Sequence, residues 1–323
     1  MRPATRPTVH RQAPLLAAVA GLAALATTGS GPARHDQAMV RVAPLVDPTE
    51  HSAQAIAAIG RANLACAQDL PPTPAPSIDD CIATVESWAA RVRSETDRHH
   101  YRFERNPAEF ENSEAFFRML MLTAVLAEDF GIHYDDQRKA GPAQGEANNS
   151  FFAEPRSVFL TGLLGPERRG TCSSMPVLYV AVGRELWYPL KLVTTKGHLF
   201  VRWEGGGERF NIEATSRGLS RFDDDYYRHW PFQITPEEEA AEGYLKSLTP
   251  PKELAVFLSI RGMCLKQTNH LPEAAASFAA AARLAPGCRS YRTMQASLEK
   301  RIRETHSGSE ADKSANLADN PLK

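Results

Sequence analysis

The stretch GTCSSMPVLYVAVGRELWYPLKLVTTKGHLFVRWEGGGERFNIEAT, residues 170–215, carries a cysteine, a histidine and a carboxylate in three successive predicted elements. Apolar residues recur at helical spacing behind Cys172, and Pro176 is tolerated only in the first turn of a helix. The sequence therefore predicts a helix that begins within residues 172–175, with Cys172 at its start. The positive end of the helix dipole favours a thiolate at such a position.

Three β-strands are predicted after this helix, at residues 190–194, 198–203 and 208–213. A turn of two or four residues between the last two strands places His198 opposite Glu213. The same register places Phe200 opposite Asn211. A three-residue turn would move Glu213 to the other face of the sheet, because side chains alternate along a strand. We predict the first register.

In that register, one thiol, one imidazole and one carboxylate lie within reach of each other. His198 would exchange a proton with Cys172, while Glu213 holds the other ring nitrogen, with Asn211 as the alternative orienting group. The alternative is a buried apolar cysteine, a strand histidine with satisfied hydrogen bonds and a solvated acid. The three residue types in this order favour the catalytic interpretation.

These residues resemble the core of the transglutaminase-like superfamily, whose papain-like fold presents a cysteine on a helix and a histidine and an aspartate on the adjacent sheet. The matching motifs are GTC at residues 170–172, GH at 197–198, and EAT at 213–215 where the family usually has DPT. Glu213 thus stands where aspartate is usual. Trp187 stands where a small turn residue is typical.

The longer match resembles a bacterial branch in which this core is followed by tetratricopeptide repeats. It implies an α+β fold, with a papain-like or transglutaminase-like core and its amino-terminal helices at residues 77–235 and tetratricopeptide-like helices at 236–305. It also implies an enzyme that forms a thioester on Cys172 and passes the acyl group to an amine or water. The alternative is a catalytically inactive scaffold that binds an envelope protein.

The helices of residues 253–286 carry small and large residues at the spacing of a tetratricopeptide helix pair. These residues are Leu258, Gly262, Ala274, Phe278, Ala281 and Pro286. One such pair, capped by a further helix at residues 291–303, is too short to form a long peptide-binding groove. Packing against the core is therefore its expected role, and a protein partner in this region is the alternative.

The amino terminus has the pattern of a targeting signal. Three arginines precede an apolar run at residues 13–26, which is too short for a membrane span. We predict a signal peptide at residues 1–26, with an uncleaved anchor as the alternative. Either one implies export, to the periplasm, the medium or the cell envelope. Residues 27–76 are predicted to hold a possible helix and a proline-rich spacer, and residues 306–323 a disordered tail.

Composition limits the partners. The 323 residues include 37 Lys and Arg against 38 Asp and Glu, and a net charge of -1 gives no general attraction to nucleic acid or to an acidic membrane. A peptide or protein substrate is expected. The proposed chemistry requires no metal or organic cofactor, and the cysteines and histidines lack the spacing of a zinc site.

Five cysteines are present, which matters for an exported protein. If Cys172 stays free, the other four are able to form two local bridges in an oxidising compartment, Cys66 with Cys81 and Cys264 with Cys288. Four unpaired buried thiols are the alternative, and the sequence leaves both open.

Overall fold

The structure, a computed structural model, describes residues 53–70, 76–138 and 151–318, with side chains at 58–70, 76–138 and 151–305. The predicted signal peptide or anchor lies outside the described residues, as does most of the segment before the first helix. No helix within the described ranges is both long and apolar enough to cross a membrane.

The described residues form a mixed helix and strand fold, so the α+β prediction is confirmed at that level. The helices are α1 (Ala53–Ala67), α2 (Ile78–Arg105), α3 (Glu114–Glu128), α4 (Pro155–Val158), α5 (Leu160–Leu164), α6 (Met175–Glu185), α7 (Asp224–His229), α8 (Pro236–Glu242), α9 (Pro250–Gln267), α10 (Leu271–Leu284) and α11 (Arg289–Ala318). The strands are β1 (His133–Tyr134), β2 (Arg169–Gly170), β3 (Leu190–Thr195), β4 (His198–Gly205) and β5 (Glu208–Ile212).

The main sheet is antiparallel, with the order β3-β4-β5. Its three strands lie within a residue or two of the predicted segments. The short strands β1 and β2 pair in parallel, which brings the chain after α3 alongside the residues that precede Cys172. The main sheet packs on α6, and α6 packs in turn on α1 and α2.

The predicted register of the β4–β5 hairpin was wrong by two residues. Arg202, and not Phe200, lies opposite Asn211, and the hairpin closes at the pair Gly205 and Glu208. The turn is therefore Gly206-Gly207, whose φ angles of 63° and 81° fit a two-residue hairpin. A shift of two residues keeps every side chain on its face, so His198 and Glu213 still share one side of the sheet.

The helix α6 carries apolar residues on all sides, and other elements cover each of these sides. Every residue from 175 to 183 is buried between the sheet and the amino-terminal helices. Pro176 lies in its first turn, and the helix begins at Met175, within the predicted range. Cys172 lies in the turn that leads into the helix and not in the helix itself.

The amino-terminal helices cover the other side of α6. Helix α2 begins behind Ser77, whose side chain accepts a hydrogen bond from the Asp80 backbone N–H. Its apolar stripe, which includes Val85 and Trp88, is buried as its spacing predicts. Helix α3 begins behind Ser113 in the same way. These helices form one hydrophobic core with α6 and the sheet.

The carboxyl-terminal helices pack in sequence, α9 on α10 and α10 on α11, and α9 also packs on α1. The buried Arg261 of α9 donates hydrogen bonds to the backbone carbonyls of Cys66 and Gln68 at the end of α1. The last helix runs to Ala318, into the segment that the sequence predicts to be disordered. No proline interrupts that segment before Pro321, so its backbone is able to continue a helix.

All five cysteines are free thiols in the structure, so neither of the two possible bridges is formed. Burial raises the pKa of Cys66 to about 12 and that of Cys264 to about 12. The thiol of Cys288 is half-buried and donates a hydrogen bond to Glu242 at 2.9 Å. These thiols pack as small apolar or weakly polar groups.

Candidate active site

Three elements bring Cys172, His198 and Glu213 together. Cys172 comes from the turn before α6, His198 is the first residue of β4, and Glu213 directly follows β5. The cysteine turn is held by Ser174, whose hydroxyl accepts a hydrogen bond from the Thr171 N–H and donates one to a backbone carbonyl. None of the described residues accepts a hydrogen bond from the Cys172 backbone N–H.

The ring of His198 pairs with the carboxylate of Glu213. Its Nε2 is 2.8 Å from Glu213 Oε2, and both side chains are only 3% exposed. The Cys172 side chain lies near enough to this ring to raise the pKa of His198. The arrangement is that of a thiol, a base and an orienting acid.

The carboxylate of Glu213 is satisfied at both oxygens. Oε1 accepts hydrogen bonds from the Thr215 backbone N–H at 3.0 Å and from the Thr215 hydroxyl at 2.6 Å. Oε2 accepts a second hydrogen bond from the Tyr227 hydroxyl at 3.1 Å, in addition to that with His198. A buried carboxylate with four such partners is held in one position and in its ionised form.

Electrostatics favour a charged pair. Burial alone would lower the pKa of His198, but the hydrogen bonds and negative charges of Cys172 and Glu213 outweigh it and raise this pKa to about 9. Burial alone would raise the pKa of Glu213, but the hydrogen bond and charge of His198 lower it. His198 is therefore an imidazolium at neutral pH, facing a carboxylate.

The turn before β4 and the segment after α7 shape the solvent side of the site. Gly197 has a φ of +73°, and a Cβ atom there would lie 2.8 Å from the Phe232 ring. The Trp230 ring meets the His198 ring edge-on, with 4.6 Å between centroids. Cys172 is 4% exposed while Trp230 is 36% exposed. Trp230 thus lies between the catalytic set and solvent.

Asn211, the alternative orienting residue, does not contact His198. Its Oδ1 accepts a hydrogen bond from Arg202 Nε at 2.8 Å, and its Nδ2 donates to Asp224 Oδ1 at 2.8 Å. The reason is the register, which places Asn211 opposite Arg202, two residues before Glu213 in the chain and further from His198. Asn211 belongs to a buried polar cluster that anchors the start of α7.

Comparisons with models of protein families, with curated proteins and with solved structures gave no match. Within the described residues, no group of three His, Cys, Asp or Glu side chains is arranged to hold a metal ion. The interpretation of the site therefore rests on the contacts of Cys172, His198 and Glu213.

Tyr227 and Trp230 are site residues that the sequence did not single out. Both lie in the segment of residues 222–232, which is rich in aromatic and acidic residues. Tyr227 is fully buried and stacks on Phe200 with 3.8 Å between centroids. The signal was the density of aromatic residues, but only the structure shows which ring reaches the acid.

Proposed function

We propose that the protein is an exported cysteine-dependent acyl-transfer enzyme of transglutaminase-like type, built on a papain-like core. The observation that carries this proposal is the pairing of His198 with a fully hydrogen-bonded Glu213 carboxylate, with Cys172 close enough to raise the pKa of the ring. A structural histidine needs neither a thiol partner nor a buried acid with four hydrogen bonds. The combination is the one that activates a thiol nucleophile.

The chemistry follows from the positions of these groups. With the Cys172 sulfur as thiolate and His198 as imidazolium, the sulfur attacks an amide carbon and the carbonyl oxygen becomes an oxyanion. The Cys172 backbone N–H, which has no acceptor among the described residues, donates to that oxyanion. As the C–N bond breaks, His198 gives its proton to the leaving amine, and a thioester remains.

The second half of the reaction restores the enzyme. An amine or a water molecule attacks the thioester, and neutral His198 accepts its proton. The C–S bond breaks, the thiolate returns and His198 is an imidazolium again. Glu213 keeps the ring oriented and stabilises its charge in both halves. Attack by an amine is transamidation, and attack by water is hydrolysis of an amide or peptide.

Thiol reactivity tests the proposal. Full-length protein is treated with iodoacetamide at pH 6, and peptide mapping by mass spectrometry follows each cysteine. We expect rapid alkylation of Cys172, a large loss of that rate in His198→Ala, and slow alkylation of the half-buried Cys288, whose pKa is raised to about 11, chiefly by burial. Cys288 is thus an internal control for access.

Slow alkylation that does not depend on His198 favours the alternative function, a catalytically inactive scaffold. If Cys172 reacts slowly and at the same rate with and without His198, the protein is not a thiol enzyme. Transfer to an amine and hydrolysis are distinguished with a glutamine-containing peptide as substrate and hydroxylamine as the amine acceptor. Formation of a hydroxamate that requires Cys172 shows transfer to an amine, whereas release of ammonia alone shows hydrolysis.

A further inference from the structure

A row of three aromatic rings leads away from the candidate catalytic set. Phe222, Tyr226 and Trp230 follow each other at intervals of four residues. Tyr226 lies in α7, Phe222 precedes the N-cap residue Asp223, and Trp230 is the C-cap residue. Ring centroids are 4.0 Å apart for Phe222 and Tyr226, and 5.5 Å apart for Tyr226 and Trp230. Trp230 itself contacts His198. None of the three rings is fully buried.

The far end of this aromatic row opens into a cavity of about 350 Å³. Phe222 forms part of its wall together with Phe210 and two arginines, Arg209 and Arg221. The cavity therefore joins the catalytic set through a continuous series of partly exposed rings. The other lining residues are Asn211, Asp223 and Asp224, so the cavity combines two aromatic rings with polar and charged groups that are able to orient a ligand.

The Arg221 side chain is held rigidly in this cavity wall. Its guanidinium carbon lies 4.7 Å from the Phe116 ring centroid and 5.3 Å from that of Phe210, and its Nη2 donates to Glu111. The side chain is 30% exposed. A stacked guanidinium presents its remaining N–H groups in a fixed plane, which suits a carboxylate.

The guanidinium of Arg209 also has N–H donors that the described acceptors do not use. Arg209 donates from Nη2 to Asp224 at 2.9 Å, but its Nε is 3.8 Å from Glu204, too far for a hydrogen bond. A guanidinium has five N–H donors, so the described acceptors use only part of this one. Half of the Arg209 side chain is exposed.

The acids in the cavity wall are already engaged. Asp224 accepts hydrogen bonds from Arg202, Arg209 and Asn211. Asp223 caps α7 by accepting from the Tyr226 backbone N–H, where the helix dipole offsets its charge. Asp224 is therefore saturated, Asp223 keeps one carboxylate oxygen without a described donor, and the arginines keep the unused N–H donors.

We propose that this cavity is a specificity subsite for the acyl substrate and binds a peptide carboxylate, from an acidic side chain or a chain end, while the aromatic row supports the intervening residues. The inference rests on the proposed function. The centroid distances place the rings of Phe222 and Trp230 at most 9.5 Å apart. An extended peptide covers this in about three residues.

Two peptide series test the subsite, since the direction of the bound peptide is open. They are acetyl-Gln-(Ala)n-Asp-amide and acetyl-Asp-(Ala)n-Gln-amide, with n from 0 to 4, each with Asn and Lys counterparts. Hydroxamate formation by the full-length protein gives kcat/KM. Calorimetry with Cys172→Ala gives Kd independently of turnover. We expect one series to show an optimum at n of 2 or 3 and an Asp-over-Asn preference of roughly tenfold.

Arginine variants test which side chains cause the preference for Asp peptides over Asn peptides. In Arg221→Gln and Arg209→Gln the Asp-to-Asn ratio in Kd is expected to fall towards one. The matched control is Arg217→Gln, which removes the same charge from an exposed position outside the cavity and should keep the ratio. The length and charge dependence of the wild-type protein tests the inference even if a variant folds poorly.

The outcomes separate this inference from the proposed function. Turnover with equal kcat/KM for Asp, Asn and Lys peptides overturns the subsite and leaves the enzyme. Selective binding of Asp peptides without turnover keeps the subsite and removes the acyl-transfer function. Tighter binding of an N-acetylglucosamine tetramer than of any Asp peptide, unchanged in Arg221→Gln, overturns the subsite in favour of a glycan surface.

Discussion

At the scale of single residues, His198 is the most strongly perturbed member of the candidate set. Its pKa is raised to about 9 although burial acts in the opposite direction, because the Cys172 side chain and the Glu213 carboxylate both favour the charged ring. A folded-state pKa above the ordinary value near 6.5 means that the native state binds this proton more tightly than the unfolded chain.

We predict that Glu213→Gln lowers the pKa of His198 towards its ordinary value near 6.5, because the amide carries no charge. The stability that this proton contributes is fully present below about pH 6.5 and is lost as the pH rises through 9, so the variant should lose less stability over that interval. NMR titration of the ring and urea unfolding at several pH values measure both effects. An unchanged titration would contradict the assignment.

We predict that Tyr227→Phe lowers the free energy of unfolding by about 1 kcal/mol, since the hydroxyl donates to Glu213 while the ring keeps its stacking on Phe200. Under the proposed function, kcat should fall while KM changes little, because this buried hydroxyl contacts Glu213 and not the substrate. Tyr101→Phe is the control, since that ring is 48% exposed. Equal losses of stability and of kcat in both variants would show that the Tyr227 hydroxyl does not support the site.

At the scale of elements, the three consecutive glycines of the β4–β5 hairpin show how contacts decide a register. Gly206 and Gly207 form the turn, while Gly205 stays in the strand, where a Cβ atom would lie 2.7 Å from Pro189. The sequence offers all three as turn residues. In the observed pairing, which places Arg202 opposite Asn211, position 205 meets Pro189, sixteen positions earlier, and only glycine fits there.

The pairing of α9 and α10 depends on a similar close approach. A Cβ atom at Gly262 would lie 2.7 Å from the Phe278 ring. We predict that Gly262→Ala destabilises the protein by about 1–3 kcal/mol through overpacking. Gly287→Ala is the matched control, because nothing lies within 4 Å of its Cβ position. Urea unfolding compares the two, and equal stability would show that the helices separate without cost.

At the scale of the whole molecule, the carboxyl-terminal helices are part of the core and not an appended domain. The described residues belong to one compact unit. Glu253 of α9 is 2% exposed and forms an ion pair with Arg184 of α6, while Arg261 binds the end of α1. Removal of one partner of such a pair costs about 3–5 kcal/mol, because the other charge is left unpaired.

We therefore predict that a chain truncated after residue 249 does not unfold cooperatively, since it exposes the α1 and α6 surfaces that α9 covers. A chain truncated after residue 305 is the control and should unfold like the full-length protein. Circular dichroism during thermal unfolding distinguishes them. A cooperative transition in the shorter chain would show that the carboxyl-terminal helices fold as a separate unit.

Most of the elements were predictable, because their signals are local. Capping by Ser77 and Ser113, Pro176 in a first turn, and the alternation of β4 are properties of neighbouring residues. The hairpin register and the hydrogen-bond partners of Asn211 were not predictable, because contacts with distant residues decide them. The continuation of α11 also differed from the prediction, since a polar composition does not by itself end a helix.

The sequence alone determined the helix behind Cys172, the three strands of the main sheet, the carboxyl-terminal helix pair and the three side chains proposed for chemistry, because helical and strand periods, caps and turn residues act over a few positions. The tertiary structure decided which groups meet. Burial and packing brought Tyr227 to Glu213 and drew Asn211 to Arg202, and they placed Trp230 against His198. These contacts join residues distant in the chain, and only the packed core selects among them.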